Sequence, residues 1–148
     1  MQEEQQRRLP PLLRNCWNKL NASFKKRLLQ IGITPDQYIV LRWLYEKHGE
    51  EINQSRLAKL MFTDANNISS LTSRMEKAGL LKRTNSKSDR RQKFLQITSL
   101  GKANFQACQP IAERLENEVL CGLNDKDQKD FKSLLSRLKV FLTSRSND

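Results

Sequence analysis

The sequence predicts a mainly α-helical protein with one small β-hairpin near the middle of the chain. Apolar residues recur at three- and four-residue steps through the segments before and after that hairpin, as amphipathic helices require. The stretch 53–98 contains two short helical segments followed by two β-type runs around a polar, arginine-rich loop. Two short helices and a basic hairpin in this order predict a winged helix-turn-helix.

The first helix is predicted over about residues 7 to 30. Pro10 and Pro11 place its start nearer residue 10, because proline is tolerated in the first turn of a helix. Gly32 is expected to end it. Its apolar stripe consists of Leu9, Leu12, Leu13, Cys16, Trp17, Leu20, Phe24 and Leu28.

The second helix has clear start and stop signals. Thr34 can cap it, Pro35 occupies its first position, and Gln37 completes a capping box with Thr34. Gly49 follows its predicted end as a C-cap. Residues 51–52 are consistent with a short strand that leads into the helix-turn-helix.

The helix-turn-helix follows directly. Asn53 can cap its first helix, and Thr63 or Asp64 can cap the second, which is predicted from about 65 to 78 with Gly79 at its end. On a helical wheel, one face of this second helix is apolar and is formed by Ile68, Leu71 and Met75.

The opposite face of that second helix is polar. It carries Asn66, Ser70, Ser73 and Lys77, flanked by Asn67, Ser69 and Arg74. Serine and asparagine compete with the helix backbone for hydrogen bonds, so few ordinary surface helices contain so many of them. Their presence is easier to understand if they contact base edges or phosphates.

Strands are predicted at Leu80–Thr84 and Lys93–Ile97, with a polar, basic loop between them, and we call this hairpin the wing. The stretch 53–98 holds ten basic and three acidic residues, a net +7 of the chain's +11. A strongly basic chain favours a polyanionic partner. Alternatively, the charge is only that of a solvated lysine-rich surface. The concentration of arginine on one hairpin favours a polyanionic partner over this alternative.

Two long helices complete the chain. Thr98 can cap the first, which is predicted to reach about Cys121 and contains Pro110, a residue that should kink or interrupt it. Asn124 can cap the second, whose apolar stripe is Phe131, Leu134, Leu135, Leu138, Phe141 and Leu142.

Apolar stripes at both ends of the chain need a surface to cover them. Because a winged helix already has its own core, a homodimer is the prediction, and a monomer with its end helices packed on its own module is the alternative. We expect an N-terminal dimerisation helix in residues 1–33, a winged helix-turn-helix DNA-binding domain in 34–98, and C-terminal dimerisation helices in 99–148.

Cys16, Cys108 and Cys121 lack the spacing of a metal site. The chain shows no secretory segment and no apolar run of membrane-spanning length. These features predict a reduced, cytoplasmic protein with no metal, no cofactor and no membrane partner.

The chain resembles the MarR family of bacterial transcription regulators in three ordered segments: TPDQYIVLRWLYEKHG (34–49), NQSRLAKLMFTDANNISSLTSRMEKAGLLKR (53–83) and SDRRQKFLQITSLG (88–101). The third is the most specific, since an aspartate and paired arginines at the wing tip precede a strand that ends in a Thr-x-x-Gly helix start. The resemblance implies a triangular homodimer with two recognition helices in successive major grooves of a double-stranded DNA operator and two wings reaching outward.

The resemblance also implies roles for individual residues. Ser55 falls at the start of the supporting helix, close to a phosphate. Asp89 would orient Arg91 into the minor groove, whose narrow negative form attracts guanidinium groups, and Arg90 would hold the DNA backbone or the wing base. Alternatively, Asp89 and Arg91 only pair with each other, and Arg74 braces the wing. The predicted DNA-binding set is completed by Asn66, Asn67, Ser69, Ser70, Thr72, Ser73, Lys77 and Lys87.

Members of this family often bind small aromatic or lipophilic effectors between their DNA-binding and dimerisation parts. Trp17, Phe24, Tyr38 and Trp43 are candidates to line such a space, and the alternative is that they are core residues.

A peroxide-sensing branch of the family uses a reactive cysteine in the first helix. Counting back from Thr34-x-x-Gln37-Tyr38 puts that cysteine at Pro10 and the branch's two nearby tyrosines at Phe24 and Pro35, so the register of Cys16 is wrong. Cys16 is therefore predicted to be a buried, inert thiol.

The sequence as a whole predicts a sequence-specific DNA-binding transcriptional regulator, a ligand-responsive repressor that binds a pseudo-palindromic operator as a dimer. The alternatives are a constitutive architectural or RNA-binding protein, and a winged helix used for protein contacts. An enzyme is not predicted, because no nucleophile–base pair or phosphate-binding glycine loop is present and the single histidine, His48, adjoins a helix end.

Overall fold

The computed structural model describes Glu4, residues 7–89 and residues 91–145. It divides into two compact units, Met1–Ala112 and Glu113–Asp148. In chain order, the elements are α1 (Leu9–Leu28), α2 (Pro35–Glu46), α3 (Gln54–Leu60), α4 (Ala65–Lys77), β1 (Leu81–Asn85), β2 (Lys93–Ile97), α5 (Ser99–Leu120) and α6 (Asp125–Arg145).

The predicted capping box of α2 is confirmed. The Thr34 hydroxyl accepts a hydrogen bond from the Gln37 amide at 3.2 Å, and the Gln37 side chain accepts one from the Thr34 amide at 3.1 Å. Gly32, between α1 and α2, has φ +78°, a conformation that side chains with a Cβ rarely adopt. These local signals set where the chain leaves α1 and enters α2. The end of α2 was predicted less well, because the helix stops at Glu46 and the turn before Gly49 is not helical.

Side-chain caps also set where α3 and α4 begin. Asn53 Oδ1 accepts from the Arg56 amide, and Asp64 Oδ1 accepts from the Asn67 amide, both at 2.8 Å. Asp64, rather than Thr63, is therefore the cap of α4. Together the caps satisfy amides that have no partner within the first turn of each helix.

The wing is an antiparallel pair of strands in which Leu81 lies opposite Ile97 and Asn85 opposite Lys93. Its first strand begins one residue later than predicted. The short strand expected at residues 51–52 is a single bridge, in which Ile52 accepts from the Leu95 amide at 2.8 Å. This bridge ties the wing to the segment before α3.

One apolar core holds the first unit together. The predicted inner face of α4 is confirmed, since Ile68, Leu71 and Met75 are all buried. At the start of α5, the Thr98 hydroxyl accepts from the Gly101 amide at 3.0 Å and donates to the carbonyl of Gly79 at 2.6 Å. The end of α4, the wing and the start of α5 are thus joined. The core consists mainly of Leu28, Val40, Leu41, Ile52, Leu57, Ile68, Met75, Leu81, Phe105 and Cys108.

The second unit contains the end of α5 and all of α6. Asn124 caps α6 as predicted, accepting from the Asp127 amide at 2.8 Å, and Gln128 donates to the carbonyls of Leu120 and Leu123. Pro110 was expected to kink or interrupt α5, and of these two effects the interruption is absent, because α5 is one helix through that residue.

The apolar stripes of α1 and α6 are exposed in the single chain. In α1 only Leu28 is buried, and Trp17 is 56% exposed. In α6 no residue is buried, and Leu134 and Phe141 are 58% and 54% exposed. Exposed apolar surface of this extent is typical of an interface.

Candidate nucleic-acid interface

The outward face of α4 carries the polar residues that the helical wheel placed there. Asn66, Ser69 and Ser70 are exposed, as are Arg74 and Lys77 toward the end of the helix. This face combines short hydrogen-bonding side chains with two cations, a mixture that can contact base edges and phosphates.

Asn67 is exposed but already bonded within the protein. Its side-chain nitrogen donates to the Thr63 hydroxyl at 3.2 Å and to the second carboxylate oxygen of Asp64 at 3.1 Å. Asn67 therefore stiffens the turn that enters α4. Both of these bonds use the side-chain nitrogen, and neither uses the carboxamide oxygen.

Thr72 does not lie on the outward face, which corrects its inclusion among the surface residues of α4. Its side chain is fully buried, and its hydroxyl donates to the Ile68 carbonyl at 2.8 Å. Position 72 is about 40° from buried Ile68 on the wheel, so Thr72 turns inward, toward Gln54 on α3. Ser73 is half-buried, at the edge of the outward face.

Ser55 is exposed in the first turn of α3, beside Arg56. The Arg56 guanidinium is held within the protein, with Nη2 2.5 Å from the Glu50 carboxylate and Nη1 3.5 Å from the Glu51 carbonyl. The hydrogen bond from Arg56, with the nearby charge of Lys47, lowers the pKa of Glu50. Arg56 is thus a fixed cation at the edge of the helix-turn-helix.

The wing tip is shaped by side chains that bond to the backbone. Asp89 Oδ1 accepts from the Arg91 amide at 2.9 Å, and buried Ser86 accepts from the amides of Ser88 and Asp89 at 3.1 and 3.2 Å. Asp89 thus bonds to the backbone of Arg91 in this turn, and the Arg91 side chain is exposed. The role of Ser86 was not predicted from the sequence.

Lys87 is also exposed on the wing. Arg90 lies outside the residues that the structure describes. The exposed cations that the structure places on this loop are therefore Lys87 and Arg91, in the same unit as α4.

Sequence reasoning missed a polar cluster under the outward face, formed by Gln54 on α3, Thr72 and Glu76 on α4, and Arg83 on β1. Arg83 Nε lies 3.2 Å from the Glu76 carboxylate. No spacing in the sequence indicates this cluster, because its members come from three elements. Arg83, not Arg74, is the arginine that joins α4 to the wing.

Three of the four aromatic candidates for an effector site pack in or against the core, which was the alternative. Phe24 and buried Tyr38 make an edge-to-face pair with centroids 5.2 Å apart, and Tyr38 stacks on Phe105 at 5.7 Å. Trp43 packs at the edge of the core. Trp17 lines a cavity of about 430 Å³, together with Asp36, Ile39, Met61, Thr63, Asn67, Ile68, Ser70, Leu71 and Arg74.

The thiols differ from the prediction. Cys16 is exposed, not buried, because the α1 face around it is uncovered in the single chain. Cys108 is the buried thiol, and its burial raises its pKa to about 11, so it is protonated and unreactive at neutral pH.

Among the described residues, no set of three or more histidine, cysteine, aspartate or glutamate side chains is placed to hold a metal ion. Over the same part of the chain, every helix is too short or too polar to traverse a bilayer.

Two Escherichia coli proteins are similar to this chain. The HTH-type transcriptional regulator PrsX is 31% identical over 117 residues, which are 78% of this chain and 70% of PrsX. The transcriptional regulator HosA is 28% identical over 126 residues, which are 85% of this chain and 90% of HosA.

Solved structures share the fold. The structure matches the S. aureus MepR–DNA complex with a TM-score of 0.84 at 21% identity, over 91% of this chain and 96% of MepR. It matches CouR from Rhodococcus jostii RHA1, bound to p-coumaroyl-CoA, with a TM-score of 0.78 at 25% identity, over 87% of this chain and 90% of CouR.

The family model that matches the chain covers residues 33–93, from the residue before the cap of α2 to the start of β2, and is that of the MarR family. This range includes the whole helix-turn-helix and the tip of the wing. The chain therefore belongs to the MarR family of transcriptional regulators.

Proposed function

We propose that this regulator binds a pseudo-palindromic DNA operator as a homodimer, with α4 in the major groove and the wing against the minor groove. The observation that carries the proposal is the pairing, within one unit, of an exposed polar face on α4 with exposed Lys87 and Arg91 on the wing. The likeness to MepR, solved as a DNA complex, supports the same use of the fold.

The proposal assigns separate tasks to separate segments. Residues 34–98 form the DNA-binding domain, and residues 1–33 and 99–148 supply the dimerisation helices. The exposed stripes of α1 and α6 support this division. The two half-sites of the operator should then be centred about one helical turn, roughly 10–10.5 base pairs, apart.

The proposed DNA contacts come from the helix-turn-helix and the wing. We propose that Ser55 meets a phosphate and that Asp89 sets the backbone at Arg91. Thr72 is omitted because it is buried. The remaining proposed contacts are Asn66, Asn67, Ser69, Ser70, Ser73, Arg74, Lys77, Lys87, Arg90 and Arg91.

We propose that the cavity beside α4 binds a small aromatic or lipophilic effector. Half of its lining side chains are apolar, Trp17, Ile39 and Leu71 among them, and these suit an aromatic or lipophilic molecule. Arg74 and Asp36 add one cation and one carboxylate to the lining, and the cavity volume is in the range of ligand sites. Because Asn67, Ser70 and Arg74 line the cavity and belong to the outward side of α4, a bound effector would compete with DNA for them. CouR, whose structure contains p-coumaroyl-CoA, supports a ligand-responsive reading. Repression released by the effector is the resulting proposal.

A regulator of this kind works in the cytoplasm on DNA and needs no catalysis, metal or cofactor. Selecting bound sites from a random double-stranded DNA pool tests the function directly. A pseudo-palindrome is the expected product. Equal affinity for all sequences, or preference for RNA, would instead indicate a constitutive architectural or RNA-binding protein.

Substitutions on the wing and on α4 should have different effects. Arg91→Ala should weaken binding to operator and scrambled DNA alike. It should also reduce the slope of log affinity against log salt concentration by roughly one unit, because one cation that neutralises DNA phosphate charge is lost. Ser70→Ala should mainly relax sequence preference, by about 1–3 kcal/mol for a lost base contact. Salt-titrated binding on both DNAs measures both effects.

Lys26→Ala is the matched control, since it removes an exposed cation from α1, outside the proposed interface. It should leave the salt slope unchanged. If Arg91→Ala behaves like Lys26→Ala, the wing does not bind DNA. If Ser70→Ala also leaves sequence selectivity unchanged, α4 does not recognise the DNA sequence.

Cys16 should not act as a peroxide switch, although its exposure makes it accessible. The Cys16→Ser variant should respond to organic hydroperoxide as the parent chain does, because the tyrosine partners expected of the sensing branch are replaced by Phe24 and Pro35. Operator release during a hydroperoxide titration measures this, with Cys121→Ser as the control for another exposed thiol. Release by the parent chain that disappears only in Cys16→Ser would show the prediction to be wrong.

A further inference from the structure

Arg83 on β1 contacts both helices of the helix-turn-helix. Besides its bond to Glu76, its Nη2 lies 3.4 Å from the hydroxyls of Thr72 and Ser73. With the Gln54 carboxamide oxygen turned toward it, Gln54 accepts from Nη1 at 2.5 Å and from Nη2 at 2.9 Å. The reverse orientation would set amide donors against guanidinium donors. The side chain of Arg83, which belongs to β1, therefore contacts both α3 and α4.

The charge and donors of Arg83 are used within the protein. Its side chain is 24% exposed, and the carboxylate of Glu76 neutralises it. A guanidinium has N–H donors on all three nitrogens, and with Gln54 in that orientation each nitrogen of Arg83 has a protein acceptor. Arg83 thus has little capacity left for a phosphate, in contrast to exposed Arg91.

We propose that Arg83 is a positioning residue for operator recognition, an inference that rests on the proposed function. It sets α4 relative to the wing so that both reach DNA together, and Glu76 holds and neutralises it. The planar guanidinium suits this role because it bonds in several fixed directions at once.

The fold does not depend on this cluster alone. Ile68, Leu71 and Met75 attach α4 to the core through apolar contacts. Replacing Arg83 should therefore leave α4 in place but free to shift slightly against the wing. Sequence-specific binding, which needs accurate placement of Ser70 and its neighbours, should suffer more than binding through charge.

The test compares Arg83→Met and Arg83→Lys with the parent chain, on the selected operator and on scrambled DNA, over a range of salt concentrations. Arg83→Met should lower the ratio of operator to scrambled affinity by about ten-fold or more, as for a lost base contact. The salt slope is compared in the Arg83→Met/Glu76→Ala double variant, which leaves neither charge of the pair unneutralised and should keep the slope of the parent chain. Arg83→Lys should lose most of the same ratio, because lysine keeps the charge but lacks the planar fork.

Glu76→Ala gives an independent signature. It should also lower the affinity ratio, but it should raise the affinity for scrambled DNA and steepen the salt slope, because it leaves the charge of Arg83 unneutralised. In the Arg83→Met background, Glu76→Ala should cause no further loss of the ratio. This double substitution separates the cluster from a general effect of removing a negative charge.

Equal losses on both DNAs with a salt slope reduced by about 0.9 in the Arg83→Met/Glu76→Ala double variant would make Arg83 a phosphate ligand and overturn the proposal. An unchanged affinity ratio in the folded variants would overturn it too, leaving Arg83 a purely structural role. If Arg83→Met fails to fold, Arg83→Lys and Glu76→Ala carry the test. A parent chain that binds operator and scrambled DNA equally would contradict the proposed function rather than this inference.

Discussion

Replacing Leu135 and Leu138 with lysine should convert the protein to monomers and abolish operator binding at concentrations where the parent chain binds. Both leucines lie on the apolar stripe of α6, a helix with no buried residue in the single chain. Covering a leucine side chain contributes roughly 1.5–3 kcal/mol, and a two-fold interface uses each residue twice. Burying lysine there would add a desolvation cost. Light scattering and operator binding, measured on the same samples, check the result.

Val140→Lys is the matched control on the same helix. Val140 is 69% exposed and lies about 200° from Leu138 on the helical wheel, away from the stripe. This variant should remain a dimer and keep its operator affinity. A parent chain that is monomeric at micromolar concentration while it binds DNA would contradict the dimer itself.

Replacing Gly101 with alanine should destabilise the protein by about 3 kcal/mol, the upper end of the usual cost of overpacking. A Cβ at this position would lie 2.1 Å from the Leu80 carbonyl oxygen and 2.8 Å from Ile97 Cγ1. The carbonyl cannot move aside freely, because it accepts a hydrogen bond from the Thr98 amide at 3.2 Å. The glycine of the Thr-x-x-Gly start is thus required by the close approach of α5 to the backbone after α4.

Gly122→Ala is the control for this substitution. A Cβ on Gly122 would meet no atom within 4 Å, and its φ lies outside the strained range. Its stability should stay close to that of the parent chain. Urea unfolding at equal protein concentrations measures both variants, since the stability of a dimer depends on concentration. Equal midpoints for the two variants would show that the wing and α5 separate more easily than the structure implies.

Much of the fold could be predicted from the sequence, because its signals are local. Thr34 with Gln37, Asn53 and Asn124 cap their helices through contacts three residues away, which any reader of the sequence can count. The inner face of α4 follows from the helical period in the same way. The MarR family was also predicted, from three segments whose order and spacing are properties of the chain alone.

The errors occurred where neighbours distant in sequence decide the outcome. Thr72 sits beside an apolar position on α4, and only the packing of α4 against α3 buries it. Cys16 lies on an apolar stripe, yet none of the residues that the structure describes buries it. Whether the aromatic residues line an effector site or belong to the core was left open by the sequence, because Phe24 pairs with Tyr38 and Tyr38 stacks on Phe105 from a later helix.

The sequence by itself determined the order of elements, their caps, the inner face of α4 and the basic charge of the wing, because each depends on residues within a few positions of one another. Only the tertiary structure decided which arginine bonds inside the protein and which stays exposed. Arg83 and Arg91 are both on the hairpin, but Arg83 faces acceptors from α3 and α4, whereas Arg91 extends from a turn. A guanidinium bonds to whatever acceptors the fold brings within about 3 Å, and those acceptors lie on elements that the local sequence does not specify.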